Sequence, residues 1–143
     1  MKGILVLMFV FLAGCTAQPV IDGDSMPLPL GGIEGDPVAG EQIFVARESG
    51  HCVLCHQVNG LSAPFQGNLG PSLSDVGARL SPGQIRLRLV DASLVNPGTV
   101  MPPYHRTNDL NQVDAAYTGK PVLTEAEIEH LVAYLAGLRM SSP

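Results

Sequence analysis

The chain has 143 residues, a size that fits a single domain. Its formal net charge of -5 at pH 7 excludes the basic surface that nucleic-acid binding requires. Three Cys residues, an odd number, argue against a framework of disulfides, while 16 Gly and 12 Pro predict many loops.

The N-terminus has the pattern of an export signal. Lys2 is followed by an apolar run over residues 4–12, which is too short for a membrane-spanning helix of roughly 20 residues. The sequence LAGC at residues 12–15 matches a bacterial lipobox, so we predict a lipoprotein signal peptide over residues 1–14 and a lipid on Cys15. An ordinary signal peptide, cleaved a few residues later, is the alternative. We therefore expect a periplasmic protein, anchored to a membrane through Cys15.

Residues 16–35 contain three Pro and four Gly and show no apolar periodicity. Such a composition is typical of a solvated linker. We expect the lipidated Cys15 and a flexible tether to occupy residues 15–35, followed by one folded domain over residues 36–143. Met26 would then have no fixed position.

The first helix is predicted to begin at Asp36-Pro37, since Asp can cap a helix and Pro suits its first position. It should run to about Glu48, with Gly50 ending it. Gly40 and Phe44 lie four residues apart and so share one face. We expect another helix to approach closely at Gly40, with Phe44 filling the space beside the crossing.

The most informative sequence is CVLCH at residues 52–56. Two thiols at positions i and i+3, followed directly by an imidazole, are the pattern of covalent haem attachment. Cys52 and Cys55 would bond to the haem vinyl groups, and His56 would ligate the iron. Zinc would need about four ligands, and a redox dithiol would be expected beside a βαβ pattern, which is absent. We predict one covalent haem c.

A turn at Gly70-Pro71-Ser72-Leu73 follows the haem motif. A ligating imidazole usually donates its second ring N–H to a carbonyl, which fixes the ring. The carbonyl of Pro71 is our candidate acceptor for His56. An ordinary turn is the alternative interpretation.

A second helix is predicted from Ser81-Pro82 to a stop at Asn96-Pro97-Gly98. Arg79, Arg86 and Arg88 are concentrated around it. We expect a solvated helix face, with a contact to a haem propionate or a docking patch for an acidic partner as alternatives.

The second iron ligand is predicted to be Met101, which lies in a stiff, extended loop before Pro102-Pro103. This loop comes 45 residues after His56, long enough to reach the other side of a haem. His105 is the main alternative. A thioether ligand raises the haem potential relative to a second imidazole. Three further candidates are weaker: His51, His130 and Met140.

The third helix should begin at Thr124, which forms a capping box with Glu127. Apolar residues then recur at helical spacing to Leu138. Tyr134 and Leu135 are expected to contact the first helix near its Gly. No strand pattern competes, so the predicted fold class is all-α.

Together, the Gly–Phe pair, the CVLCH motif, the Pro71 turn, the Met101 loop and the C-terminal helix resemble a class I cytochrome c domain. The resemblance implies helices packed around one covalent haem. Longer stretches, above all Asn96 to Tyr104 and Gly119 to Thr124, resemble SoxX, the monohaem subunit of the sulfur-oxidation SoxAX complex. This similarity covers about residues 36–138.

The resemblance to SoxX implies a role in thiosulfate oxidation. SoxAX-type complexes act as an L-cysteine S-thiosulfotransferase, joining thiosulfate oxidatively to a carrier-protein cysteine at a haem of the SoxA subunit. SoxX accepts the electrons and passes them to another cytochrome c. We therefore expect a SoxA-like partner in a heterodimer, indirect contact with the sulfur carrier and the downstream cytochrome, and no catalytic residue on this chain. A lipobox departs from the soluble form usual in this family.

The segment from residue 106 to 120 is not needed by a minimal cytochrome c and is a candidate for facing the SoxA-like partner. The haem motif also allows two functions other than a subunit of a SoxAX-type complex. One is a free-standing periplasmic electron carrier, and the other is a haem sensor, which would need an open or weakly held sixth coordination position.

Overall fold

The computed structural model describes residues 19–139 and shows four α-helices: α1 (Pro37–Val45), α2 (Val76–Arg79), α3 (Pro82–Asp91) and α4 (Glu125–Gly137). Short 3-10 turns lie before α1, between α1 and α2, and between α3 and α4. In this part of the chain there is no strand beyond an isolated bridge between Asp22 and Ser25, which confirms the all-α prediction. None of the helices described is long and apolar enough to cross a membrane. The predicted signal peptide, Cys15 and Met140 lie outside the described residues.

Helix α1 begins where the sequence indicates but ends earlier than expected. Asp36 Oδ1 accepts a hydrogen bond from the Val38 N–H at 2.8 Å, which caps the helix. Ala46 is already extended, with ψ 126°, and its carbonyl accepts the His51 N–H at 2.9 Å. The helix therefore ends at Val45. The Ala46–His51 hydrogen bond then closes a turn that leads into the CVLCH segment.

Helices α1 and α4 cross in close contact at Gly40. A Cβ at Gly40 would lie 2.7 Å from the Tyr134 Cβ and would overlap the backbone carbonyl of His130, so only Gly fits. Phe44 is fully buried beside the crossing, with its ring centroid 5.6 Å from that of Tyr134. The Asp36 N–H donates to His130 Nδ1 at 2.9 Å and fixes the same pair of helices. The predicted crossing is therefore present.

Helix α3 begins at Pro82 after the cap at Ser81, as predicted, and Ser81 also forms a capping box with Gln84. The expectation of a solvated Arg face is wrong for Arg86, whose side chain is 4% exposed and pairs with Glu129 on α4. Its Nε and second guanidinium nitrogen donate to the two carboxylate oxygens at 2.6 and 2.7 Å. A doubly hydrogen-bonded pair of this kind satisfies both charges inside the domain.

Arg79 and Arg88 do lie toward the surface, where they pair with Asp75 and Asp24 at 2.9 and 3.4 Å. Neither arginine forms a hydrogen bond with the CVLCH segment. Exposed pairs of this kind stabilise a protein by about 1 kcal/mol at most.

The segment before α1 is packed on the domain, unlike the flexible tether expected for residues 15–35. Met26 and Leu30 are buried, with 2% and 5% exposure. The Met26 carbonyl accepts from Arg86, and the Leu30 N–H donates to Glu129. The buried ion pair thus obtains its remaining hydrogen bonds from this segment's backbone. Single apolar residues between Pro and Gly show no periodicity, so the sequence pattern did not reveal this packing.

We predict that Gly40→Ala lowers the free energy of unfolding by about 2 kcal/mol or more, because the new methyl group overlaps α4. Gly137→Ala is the matched control, since a Cβ there meets open space, and it should change stability by less than about 1 kcal/mol. Urea unfolding of the two variants measures the difference. Equal stabilities would show that the crossing tolerates a side chain.

Candidate functional site

The CVLCH segment forms a tight turn. Residues Cys52–Leu54 make one 3-10 turn, and the Cys52 carbonyl accepts the N–H groups of Cys55 and His56 at 3.1 and 2.9 Å. His51 enters this turn in the left-handed conformation, with φ 44°. These local bonds set both thiols and the imidazole in one short, ordered loop.

Both thiols of the turn are free rather than joined in a disulfide. Cys52 is buried and Cys55 is half-buried. Burial raises the pKa of the Cys52 thiol to about 12, so it stays protonated near neutral pH. Addition of a thiol across a vinyl group needs a cysteine that is not in a disulfide, and both cysteines of the turn meet this condition.

The His56 ring is held from two sides. Its Nδ1 lies 2.8 Å from the Pro71 carbonyl oxygen, which can only accept, so Nδ1 donates and Nε2 keeps a free lone pair. The Gly70 backbone lies against the ring, since a Cβ there would come within 2.6 Å of Nδ1. The contact with Pro71 is thus the one expected from the sequence. Gly70 belongs to the same predicted turn, but its contact with the His56 ring was not expected.

Met101 is half-buried, and its side chain packs against the core. Its N–H donates to Thr99 Oγ1 at 3.1 Å, which stiffens the loop locally. His105, the main alternative, donates from Nδ1 to the Leu123 carbonyl at 2.9 Å, just before α4. His130 is held by its contact with Asp36 at the α1–α4 crossing, which argues against a role as a ligand.

Tyr104 also belongs to the site. The sequence pattern includes it only as the last residue of the stretch that begins at Asn96, and no separate role was expected for it. Its hydroxyl donates to the Gly50 carbonyl at 3.1 Å and so connects the Met101 loop with the CVLCH turn. Burial raises the pKa of Tyr104 well above its usual range, and the nearby Cys52 and Cys55 add to the effect. Its hydroxyl therefore remains a donor at physiological pH. The Pro-Pro-Tyr stretch drew attention to this loop. It has no helical or strand periodicity, so it does not predict which part of the fold the Tyr104 ring contacts.

Three apolar side chains next to the candidate site residues are exposed. Leu54, Leu69 and Val100 are 64%, 71% and 78% exposed. They adjoin Cys55, Gly70 and Met101 in sequence. Two thiols and an imidazole can attach a covalent haem and ligate its iron, and a thioether or a second imidazole can supply the other ligand. Within residues 19–139 no three His, Cys, Asp or Glu side chains are grouped to bind a metal ion directly.

The comparisons agree with this donor set. The family model described as cytochrome c matches residues 37–139. The chain belongs to the cytochrome c family. A chain of the crystal structure of SoxXA from P. pantotrophus has a similar fold, with a TM-score of 0.76 and 29% sequence identity. This match covers 82% of the present chain and 91% of that chain. Comparison with curated proteins gave no significant match.

Membership of the cytochrome c family confirms the prediction of one covalently bound haem c and of the class I fold. The resemblance to SoxX, first seen in the sequence, is confirmed by the fold match. The individual roles in haem binding remain predictions: Cys52 and Cys55 for covalent attachment, His56 and Met101 as iron ligands, and Pro71, whose hydrogen bond to His56 is present, as the group that orients the ligating ring.

We predict that Met101→Ala lowers the reduction potential by on the order of 100 mV while the haem stays covalently attached, because the thioether that favours the reduced state is removed. His105→Ala is the matched control and should change the potential little. Redox titration with absorbance measures both. A large change in the His105 variant alone, or loss of attached haem from the Met101 variant, would contradict the assignment.

Proposed function

We propose that this cytochrome c is the electron-transfer subunit of a SoxAX-type thiosulfate-oxidising complex. Its partner would be a SoxA-like cytochrome, which performs the transfer of thiosulfate to a carrier-protein cysteine. The present chain accepts the electrons released and passes them to another cytochrome c. The observation that carries the proposal is the similarity to SoxXA over 91% of the matched chain.

The distribution of thiols supports a role in electron transfer rather than in sulfur activation. The sequence has three Cys residues, of which Cys15 belongs to the lipobox pattern. The two in the described residues, Cys52 and Cys55, both belong to the haem motif. No thiol is then left to bind thiosulfate, and that step falls to the partner.

The chemistry of the proposed reaction fits a one-electron subunit. Joining a carrier thiol to the terminal sulfur of thiosulfate forms a sulfur–sulfur bond and releases two electrons and the thiol proton. A bound haem c supplies one-electron redox chemistry. Because the chain has one CVLCH motif, it would pass these two electrons on singly. In this proposal, the residues around the site hold the two candidate iron ligands, His56 through Pro71 and the Met101 loop through Tyr104.

Reconstitution tests this proposal. The haem-loaded chain is expected to copurify with a SoxA-like partner, and its haem should be reduced when thiosulfate and the carrier protein are added to the complex. Omitting the carrier, or replacing its terminal cysteine by Ser, provides the control. Failure to recover such a partner, together with a haem that stays oxidised, would sink the proposal and favour a free-standing electron carrier. Rapid binding of CO to the isolated chain would instead favour a sensor.

We further propose that the mature chain is periplasmic and anchored through a lipid on Cys15. The apolar run and the sequence LAGC at residues 12–15 support this proposal. The packed segment adds a consequence, since its contacts with α3 begin at the Asp24 side chain, which accepts from Gln84, and at the Met26 N–H, which donates to the Gly83 carbonyl. Residues 16–23 can span at most roughly 30 Å, so the anchor would keep the domain close to the membrane surface.

Cys15→Ala should move the protein from the membrane fraction to the soluble periplasmic fraction, with the haem still attached. The reason is that the variant lacks the thiol that carries the lipid. Haem absorbance in the two fractions measures the change, with Thr16→Ala as the control at the neighbouring position. A Cys15→Ala protein that remains with the membranes would rule out the lipid anchor.

A further inference from the structure

We propose that Tyr104 is a positioning residue, whose hydroxyl holds the Met101 loop against the haem-attachment turn and so keeps Met101 in place as an iron ligand. The inference rests on the proposed electron-transfer function and its ligand pair, His56 and Met101. It goes beyond that ligand pair, because it makes the stability of the Met101–iron bond depend on Tyr104, which does not bind the iron.

The position of Tyr104 in the loop gives it this influence. Pro102 and Pro103 separate it from Met101, and a Pro has a fixed φ and no N–H with which to bond the domain. On the other side, the Met101 N–H bonds only to Thr99, within the same loop. Tyr104 is thus the first residue after Met101 whose backbone N–H reaches the body of the domain, at the Leu89 carbonyl of α3, 3.2 Å away.

Tyr104 also reaches two other parts of the fold. Its carbonyl accepts the N–H of Leu123, just before α4, at 2.9 Å. Its hydroxyl donates to the carbonyl of Gly50, two residues before Cys52, at 3.1 Å. Among the residues that the structure describes, this is the one hydrogen bond that joins the loop of residues 96–106 to the turn of residues 49–56. A single hydroxyl group therefore provides the hydrogen bond between the two segments that carry the candidate ligands.

The loop beyond Tyr104 is anchored independently of that hydroxyl. The His105 N–H donates to the Val90 carbonyl at 3.3 Å. Arg106 Nε lies 3.3 Å from the carboxylate of Asp91, which is buried at the end of α3. These anchors keep the backbone in place when the hydroxyl is removed. A change of Tyr104 to Phe should therefore loosen the contact across the site without unfolding the loop.

Competition with an added ligand tests the inference. Imidazole, titrated into the oxidised, haem-loaded chain, displaces the thioether and removes the charge-transfer band that marks a Met–iron bond. Tyr104→Phe should raise the apparent affinity for imidazole roughly threefold to tenfold, the effect of losing one hydrogen bond. Tyr117→Phe, on the exposed segment before α4, is the matched control and should leave the affinity unchanged.

The readout separates positioning from general stability. Urea unfolding of the same variants is measured in parallel. A lower unfolding midpoint for Tyr104→Phe with an unchanged imidazole affinity would make the tyrosine merely structural and overturn the inference alone. A wild-type protein with no Met–iron band would overturn the proposed ligand pair, and this inference with it.

Discussion

The close crossing of helices α1 and α4 is the constraint on which the rest of the structure depends. It requires Gly at position 40, because the α4 backbone occupies the space of a side chain there. Phe44 and Tyr134 then fill the crossing with aromatic surface. The end of α1 leads into the CVLCH turn, and the start of α4 follows Leu123, which bonds to Tyr104. Packing of these two helices therefore sets the distance between the loops that carry the candidate iron ligands.

A second constraint acts through charge. Burying Arg86 or Glu129 alone would cost free energy, because a charge removed from water loses its hydration. Each charge is compensated by the other in the ion pair. Their remaining hydrogen-bonding capacity is taken up by the backbone of the segment at Met26 and Leu30. This arrangement makes the segment before α1 part of the domain. If Cys15 carries the proposed lipid, the connection between the membrane and the domain is short.

The candidate site itself lies on loops, while the helices supply its support. His56 is held by the Pro71 carbonyl and by the Gly70 backbone, and the Met101 loop is held through Tyr104. An electron carrier benefits from ligands that stay in place when the charge of the iron changes. The resemblance to SoxX and the absence of a spare thiol in residues 19–139 support the proposed function, in which a partner performs the sulfur chemistry and this chain transfers electrons.

The sequence by itself determined the features that depend on neighbours within a few residues. The haem motif, the caps at Asp36, Ser81 and Thr124, and the Gly–Phe face of α1 are of this kind, because their chemistry acts over one helical turn. The Pro71 contact could also be anticipated, since the chain returns to His56 soon after leaving it. Only the tertiary structure decided the contacts between distant residues. The Arg86–Glu129 pair spans 43 positions, the Tyr104–Gly50 bond 54 and the Leu30–Glu129 bond 99. Such contacts depend on how helices pack, and an isolated Met, Leu or Arg carries no local signal of the partner that packing will bring to it.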